Sequence, residues 1–185
     1  SYRAIFPRPI VGNVEAVIIN TAGGVTGGDQ FATCITAHEN AHLSVTTQAA
    51  ERIYRATGAE RGVMKTTLRA EKAAQLYWLP QETILFDGAR LHRSLDVDLH
   101  TTAKFLMVEP LVFGRVASGE TLRSGTLDDR VTITRDGQPI YLDRIKLEGD
   151  IAASLARPAV ANGARAIASI VLVHPNAQTF LAGLR

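Results

Sequence analysis

One cysteine in 185 residues, Cys34, leaves no partner for an intrachain disulfide and points to a reducing compartment. No apolar run approaches the roughly 20 residues that span a bilayer. The longest, Ala166 to Val173, has the length of a strand. Neither charge dominates: the net charge is +2 with both signs mixed along the chain, so no basic stripe argues for nucleic acid. The first ten residues carry Arg3, Pro7, Arg8 and Pro9, which break up the apolar centre that a secretory signal needs. A hydrophobic fraction of 46% is enough for a core, and the length fits one domain over 1–185. These absences lead to the expectation of a soluble cytoplasmic protein with no membrane or nucleic-acid partner.

Most of the chain reads as short strands. Val14–Ile19, Phe31–Ala37, Leu43–Thr47, Val63–Leu68, Leu76–Leu79, Thr83–Phe86, Leu91–Leu99, Ala103–Val108, Arg130–Thr134 and Ile140–Leu147 are β-branched or alternating, with turn residues between them. Asp136-Gly137 between Val131-Thr132-Ile133 and Ile140-Tyr141-Leu142 predicts a hairpin. Helical composition is confined to the C-terminal third, at Asp150–Leu155 and at Pro175–Arg185. Ile167–Val173 lies between them as a buried strand, and Pro175 suits the first turn of the last helix.

A weak repeat organises these strands. Ala37-His38-Glu39-Asn40-Ala41-His42-Leu43 has the same pattern as Ala70-Glu71-Lys72-Ala73-Ala74-Gln75-Leu76 and as Leu99-His100-Thr101-Thr102-Ala103-Lys104-Phe105. The copies start 33 and then 29 residues apart. Each is strand, polar turn, strand. Such a period predicts a mainly β fold of stacked units with β-helix-like character, each unit covering its neighbour's apolar face. An ordinary antiparallel meander is the alternative.

The motifs with chemical content are few. His38-Glu39-Asn40-Ala41-His42 matches the zinc-hydrolase pattern, which binds metal only where a helix brings both histidines to one face. Its flanks are strand-like, so the expectation is a hairpin tip with solvated histidines; a zinc hydrolase is the alternative. Asn20-Thr21-Ala22-Gly23-Gly24-Val25-Thr26-Gly27-Gly28-Asp29 holds two Gly-Gly pairs after the run Val17-Ile18-Ile19. It lacks the Gly-Lys-Ser/Thr ending of a phosphate loop, and a strand-like segment follows, so Gly23, Gly24, Gly27 and Gly28 are read as a structural turn. No Ser/His/Asp or Cys/His arrangement is legible, and Cys34 sits in a strand-like run. Trp78 before Pro80 reads as core at an interrupted or edge strand.

Three segments carry a resemblance. Asn-Thr-Ala-Gly-Gly-Val-Thr-Gly-Gly-Asp at 20–29, Thr-Thr-Gln-Ala-Ala-Glu at 46–51 and Trp-Leu-Pro-Gln-Glu-Thr at 78–83 resemble the urease accessory protein family UreD, called UreH in some systems. Glu109-Pro110, Gly114-Arg115 and Gly119-Glu120 extend the match over nearly the whole chain. Members usually have further N- and C-terminal parts, so the resemblance implies a central fragment. It also implies a β-rich, helix-poor stack and a non-enzymatic role: a scaffold that binds apo-urease and UreF, and through UreF the GTPase UreG. That assembly inserts nickel into the urease active site, with no tightly bound cofactor and with nickel in transit. A binding module of stacked β units unrelated to urease is a further alternative.

Nickel in transit requires weak oxygen ligands along an interior. Gln48 and Gln81 follow the first two repeat turns at one offset, and Glu109 falls one residue short of it in the third. Stacking would put these side chains in a polar row. Glu51, Glu82 and Asp29 lie near that row or near the glycine turn, so Asp29, Glu51, Glu82 and Glu109 are the candidate lining. The alternative is that these are satisfied buried groups or solvated loop residues.

Overall fold

The computed structural model describes residues 1–8 and 12–184. Its strands are β1 (Tyr2–Ile5), β2 (Val14–Asn20), β3 (Gln30–Ala37), β4 (His42–Thr47), β5 (Glu51–Ile53), β6 (Gly62–Ala70), β7 (Gln75–Trp78), β8 (Thr83–Leu85), β9 (Arg90–Leu99), β10 (Lys104–Phe113), β11 (Thr126–Arg135), β12 (Gln138–Glu148) and β13 (Ala166–Val173). They form two facing sheets. Sheet A runs β1-β2-β4-β7-β10-β8-β5, with β13 also on β10, and sheet B runs β12-β11-β9-β6-β3.

The chain winds alternately through the two sheets, so strands about 30 residues apart in sequence pair in parallel. In sheet B the registers Gln30↔Val63, Val63↔His92 and His92↔Asp128 are unbroken. In sheet A the matching registers are Val45↔Trp78 and Trp78↔Met107. The predicted stack of strand–turn–strand units is therefore present. Each inner face alternates, and its apolar half fills the space between the sheets. Leu91, Leu95, Val97 and Leu99 of β9 point inward, as do Phe105, Met107, Leu111 and Phe113 of β10. The buried side chains fall into two clusters, one around Leu76 and Phe105 and the other around Leu91 and Phe113.

The three repeat segments are the corners of this winding. Successive corners hydrogen-bond to one another: the Glu71 N–H donates to the Ala37 carbonyl, and the His100 N–H to that of Ala70. Above the third corner lies the predicted hairpin between β11 and β12, whose Asp136 N–H donates to the Leu99 carbonyl. Asp136 and Gly137 both have positive φ (48° and 74°), as the two central residues of a type I′ turn require. From there β12 returns antiparallel to β11.

Several expectations need correction. His38-Glu39-Asn40-Ala41-His42 is not a hairpin tip, because β3 and β4 belong to different sheets and do not pair. It is a corner between sheets, with Asn40 at φ 60°. Nor is it a helix, so the two histidines do not share a helical face. His38 Nδ1 lies 3.3 Å from Glu71, while the His42 ring nitrogen lies 2.9 Å from the Gln75 amide nitrogen. Replacing both histidines with alanine should change stability by less than about 0.5 kcal/mol, because such exposed corner contacts contribute little. Thermal unfolding followed by circular dichroism checks this; a large loss, or the loss of a stoichiometric zinc, would reverse the assignment.

The strand at Ile167–Val173 exists as β13, but only Val173 is buried, and Ile170 is 61% exposed. One face of β13 meets the core, and the other has nothing over it among the described residues. The helix over Asp150–Leu155 is α1 (Ile151–Ala156), where the Asp150 carboxylate caps the Ala153 N–H at 2.8 Å. The single helix expected over Pro175–Arg185 is instead a 3₁₀ turn at Ala177–Phe180 followed by α2 (Leu181–Leu184); Pro175 precedes the N-cap Asn176, and Arg185 lies outside the described residues. Two strands had no sequence signal: β1, and the three-residue β5. Among the described residues no helix is long and apolar enough to cross a membrane.

Candidate functional site: a buried ionic cluster and its cavity

Three long strands break their apolar alternation at one level of the stack. Arg93 stands in the inward series of β9, Glu109 in that of β10 and Asp129 between Leu127 and Val131 in that of β11. Arg93 and Asp129 are register partners on sheet B, and Glu109 faces them from sheet A. The guanidinium grips Asp129 through two bonds of 2.8 and 2.6 Å and reaches Glu109 Oε2 at 2.6 Å. Its Nη1 also donates to the Thr83 hydroxyl at 3.1 Å, and the Trp78 indole N–H donates to the other Glu109 oxygen. Burial works against the charge on Arg93, but the two carboxylates outweigh it and hold the guanidinium more firmly protonated than usual. Buried charges persist only when paired in this way.

The cluster sits where sheet A is interrupted. β4 stops at Thr47 and β5 begins at Glu51; β7 stops at Trp78 and β8 begins at Thr83. Pro80, which has no N–H for a ladder, stands in the second gap. The two gaps stack: the Gln81 N–H donates to the Thr47 hydroxyl at 3.0 Å and the Glu51 N–H to the Glu82 carbonyl at 2.9 Å. They are the Thr-Thr-Gln-Ala-Ala-Glu and Trp-Leu-Pro-Gln-Glu-Thr segments. Behind them lies a cavity of about 50 Å³ lined by Tyr2, Glu51, Trp78, Thr83, Arg93 and Glu109, among others. That is room for about one or two waters.

Glu51 closes the outer side. Its carboxylate accepts the Asn20 amide at 2.9 Å and the Tyr2 hydroxyl at 3.1 Å. Burial raises its pKa, and the bonds from Asn20, Tyr2 and the Arg52 N–H only partly offset that. Burial, and then the Glu51 charge, push the Tyr2 hydroxyl far above its ordinary range.

Of the four candidate nickel-lining residues, the structure brings Glu51 and Glu109 to one cavity. Asp29 is a turn residue whose carboxylate accepts the Thr26 N–H at 2.9 Å, and Glu82 lies in the gap before β8 outside the cavity lining. The expected row of Gln48, Gln81 and Glu109 is broken: both glutamines fall in the gaps and are exposed, and only Gln81 lines the cavity with Glu109, while Gln48 lines the neighbouring recess. Trp78 is core, 6% exposed, as its size suggested. The glycine segment is a turn that ties β2 to the next coil: the Val25 N–H donates to the Arg52 carbonyl and the Gly28 N–H to that of Arg61.

Sequence reasoning missed Arg93, Asp129, Asn20 and Tyr2. For Arg93 the signal was present, since a charge occupied the apolar phase of the alternating strand Leu91–Leu99, whereas Asp129 lies before the read strand Arg130–Thr134. Asn20 lay in a recognised segment without a role. Nothing marked Tyr2.

The model of the UreD urease accessory protein family matches residues 2–185. Urease accessory protein UreD of Ruegeria pomeroyi is 49% identical over the whole chain, which covers 72% of that relative. Those of Roseobacter denitrificans and Rhodopseudomonas palustris are 54% and 50% identical over 93% and 94% of the chain. The chain spans only 63% and 62% of the length of these two relatives. With a match along its full extent and close identity to several members, the chain belongs to the UreD urease accessory protein family.

Proposed function

We propose that this chain is a non-catalytic cytoplasmic scaffold of urease maturation. It binds apo-urease and UreF, and through UreF the GTPase UreG, and nickel bound for the urease active site passes between its two sheets. Family membership supports the accessory role. The observation that carries the nickel reading is the partly open cavity behind the two gaps, where Glu51 and Glu109 line the same space. Beside it the Arg93 guanidinium pairs with Glu109 and Asp129, while Glu51 is held by Asn20 and Tyr2. Carboxylate oxygens suit a hard or borderline divalent cation. Their existing hydrogen bonds keep the site from being a resident metal centre, as a conduit requires.

The test is urease activation in cells that supply all the accessory proteins. Glu51→Ala and Glu109→Gln should lower urease nickel content several-fold while complex assembly is retained. Asp29→Ala and Glu82→Ala, outside the cavity, should leave it unchanged. Unchanged nickel in both cavity variants would remove the conduit and leave the scaffold.

A further inference from the structure

Glu109 and Asp129 bring four carboxylate oxygens to the buried cluster, and all four are taken. Arg93 holds three of them: Asp129 Oδ1 at 2.8 Å, Asp129 Oδ2 at 2.6 Å and Glu109 Oε2 at 2.6 Å. The fourth, Glu109 Oε1, accepts the Trp78 indole N–H. The Thr83 hydroxyl accepts from Arg93 Nη1 at 3.1 Å. One guanidinium thus engages all three oxygen-bearing side chains of the cluster.

These bonds are unequal. A bond from a guanidinium to a carboxylate is stronger than one from a neutral N–H. Glu109 Oε1 is therefore the most weakly held of the four oxygens, and it belongs to a residue that lines the cavity. The charges are unequal too. One guanidinium against two carboxylates leaves one negative charge in excess, where little water reaches to screen it. Such an excess draws a cation inward. Arg93 stands on the unbroken β9 beside its register partner Asp129, so its planar fork is fixed from sheet B and reaches across to Glu109 on sheet A.

We propose that Arg93 sets how long nickel stays in the interior, by holding three of the four cluster oxygens and leaving the cargo the one that an indole holds. This rests on the reading that nickel travels through the cavity. The excess charge attracts the cation. The cation displaces the Trp78 N–H from Glu109 Oε1, because a full charge attracts a carboxylate more strongly than a neutral donor does. Arg93 then denies it a second oxygen of the cluster. With Arg93 in place, no group of three or more His, Cys, Asp or Glu side chains among the described residues is arranged to hold a metal ion. Without the guanidinium, Glu109, Asp129 and the Thr83 hydroxyl become an all-oxygen donor set for a divalent cation, with water completing its shell. Arg93 does not touch the cargo. It is a positioning residue that acts through Glu109 and Asp129.

Trp78 reports on this directly. It is the single tryptophan of the chain, lines the cavity and donates to Glu109. Nickel is paramagnetic and quenches an indole that it approaches closely. Titrated into the parent chain it should quench Trp78 weakly. Arg93→Ala should give saturable quenching, with a nickel affinity about tenfold or more above the parent's, since a competing charge has gone. Adding Glu109→Gln to Arg93→Ala should abolish that gain. Arg93→Lys keeps the charge but is a point donor that cannot hold three oxygens, and it should fall between parent and Arg93→Ala. If Arg93→Ala does not fold, Arg93→Met, which keeps the packing of the stem, is read in its place. Parent-like affinity in a folded Arg93→Ala or Arg93→Met chain overturns the proposal, as does a gain that survives Glu109→Gln. Parent-like affinity in Arg93→Lys overturns the role of the fork. In cells that supply all the accessory proteins, the Arg93→Ala chain should be recovered carrying nickel while urease receives less. Nickel bound by the purified variant with urease loading unaltered overturns the place of Arg93 on the route. Lowered loading with no nickel on the variant overturns residence as the cause. Failure of the conduit itself is read separately, from Glu51→Ala and Glu109→Gln.

Discussion

Arg93→Met should destabilise the fold by about 3–5 kcal/mol, the range for removing one partner from a buried ion pair. The reason is what remains. Glu109 and Asp129 keep 8% and 7% of their side-chain surface exposed, and they would face each other with no cation between them. For a chain of this size the loss corresponds to a fall in melting temperature of roughly 6–20 °C. The cost belongs to the stranded carboxylates and not to the absence of arginine as such. The triple variant Arg93→Met, Glu109→Gln, Asp129→Asn should therefore recover much of the stability that the single variant loses. Denaturant unfolding of the single and triple variants measures both quantities. A single variant as stable as the parent chain would show that water reaches the cluster and that it is not a sealed ion group.

Gly24→Val should cost about 1–3 kcal/mol or more, with the loss appearing in folding yield before any effect on binding. A Cβ at this position would overlap the Tyr54 ring and stand 2.6 Å from the Arg52 carbonyl oxygen. The tyrosine can yield. The carbonyl cannot, because it accepts the Val25 N–H at 2.8 Å, and that bond joins the glycine turn to the next coil. Gly119→Ala is the comparison: φ there is +71° and nothing lies within 4 Å, so it pays only backbone strain of about 1 kcal/mol. Thermal unfolding of the two variants ranks them. A Gly24→Val chain of full stability that had lost its partners would make the turn an interface and not a joint.

Much of the fold was legible because a two-sheet winding writes itself twice in the sequence. The alternation within Leu91–Leu99 and Ala103–Val108 gave the strands, and the recurrence of similar corners gave their order. Sequence could not distinguish a turn that returns along the same sheet from one that crosses to the other. That depends on which strand a segment pairs with about 30 residues away, and it is why the corner at His38–His42 was read as a hairpin. β5 and β1 were invisible for a related reason. Three residues of Glu-Arg-Ile have no period, and Tyr2–Ile5 becomes a strand only because β2 offers it an edge.

The site was half legible. Glu51 and Glu109 were selected by an offset argument, and the predicted row failed because Gln48 and Gln81 occupy breaks in sheet A where the backbone leaves its register. Phase was the better guide for Arg93, a charge at the apolar phase of Leu91–Leu99 that must find a buried counter-charge. Glu109 and Asp129 share that phase only in the full strands β10 and β11, which run past the ends of the segments legible in the sequence.

Only one wall of the sandwich is interrupted. Strands β3, β6, β9 and β11 run through sheet B without a break, whereas the facing strands stop at 48–50 and again at 79–82. An unbroken hydrogen-bonded ladder resists bending along its length, and a wall with two stacked gaps yields at the gaps. In sheet A the level of the gaps is crossed by the continuous β10 and its partner β13, so the line of Gln48 and Gln81 is the part of that wall with the fewest ladder bonds to resist widening. A partner that grips sheet B leaves the interior free to breathe; a partner that clamps across those two glutamines sets its volume.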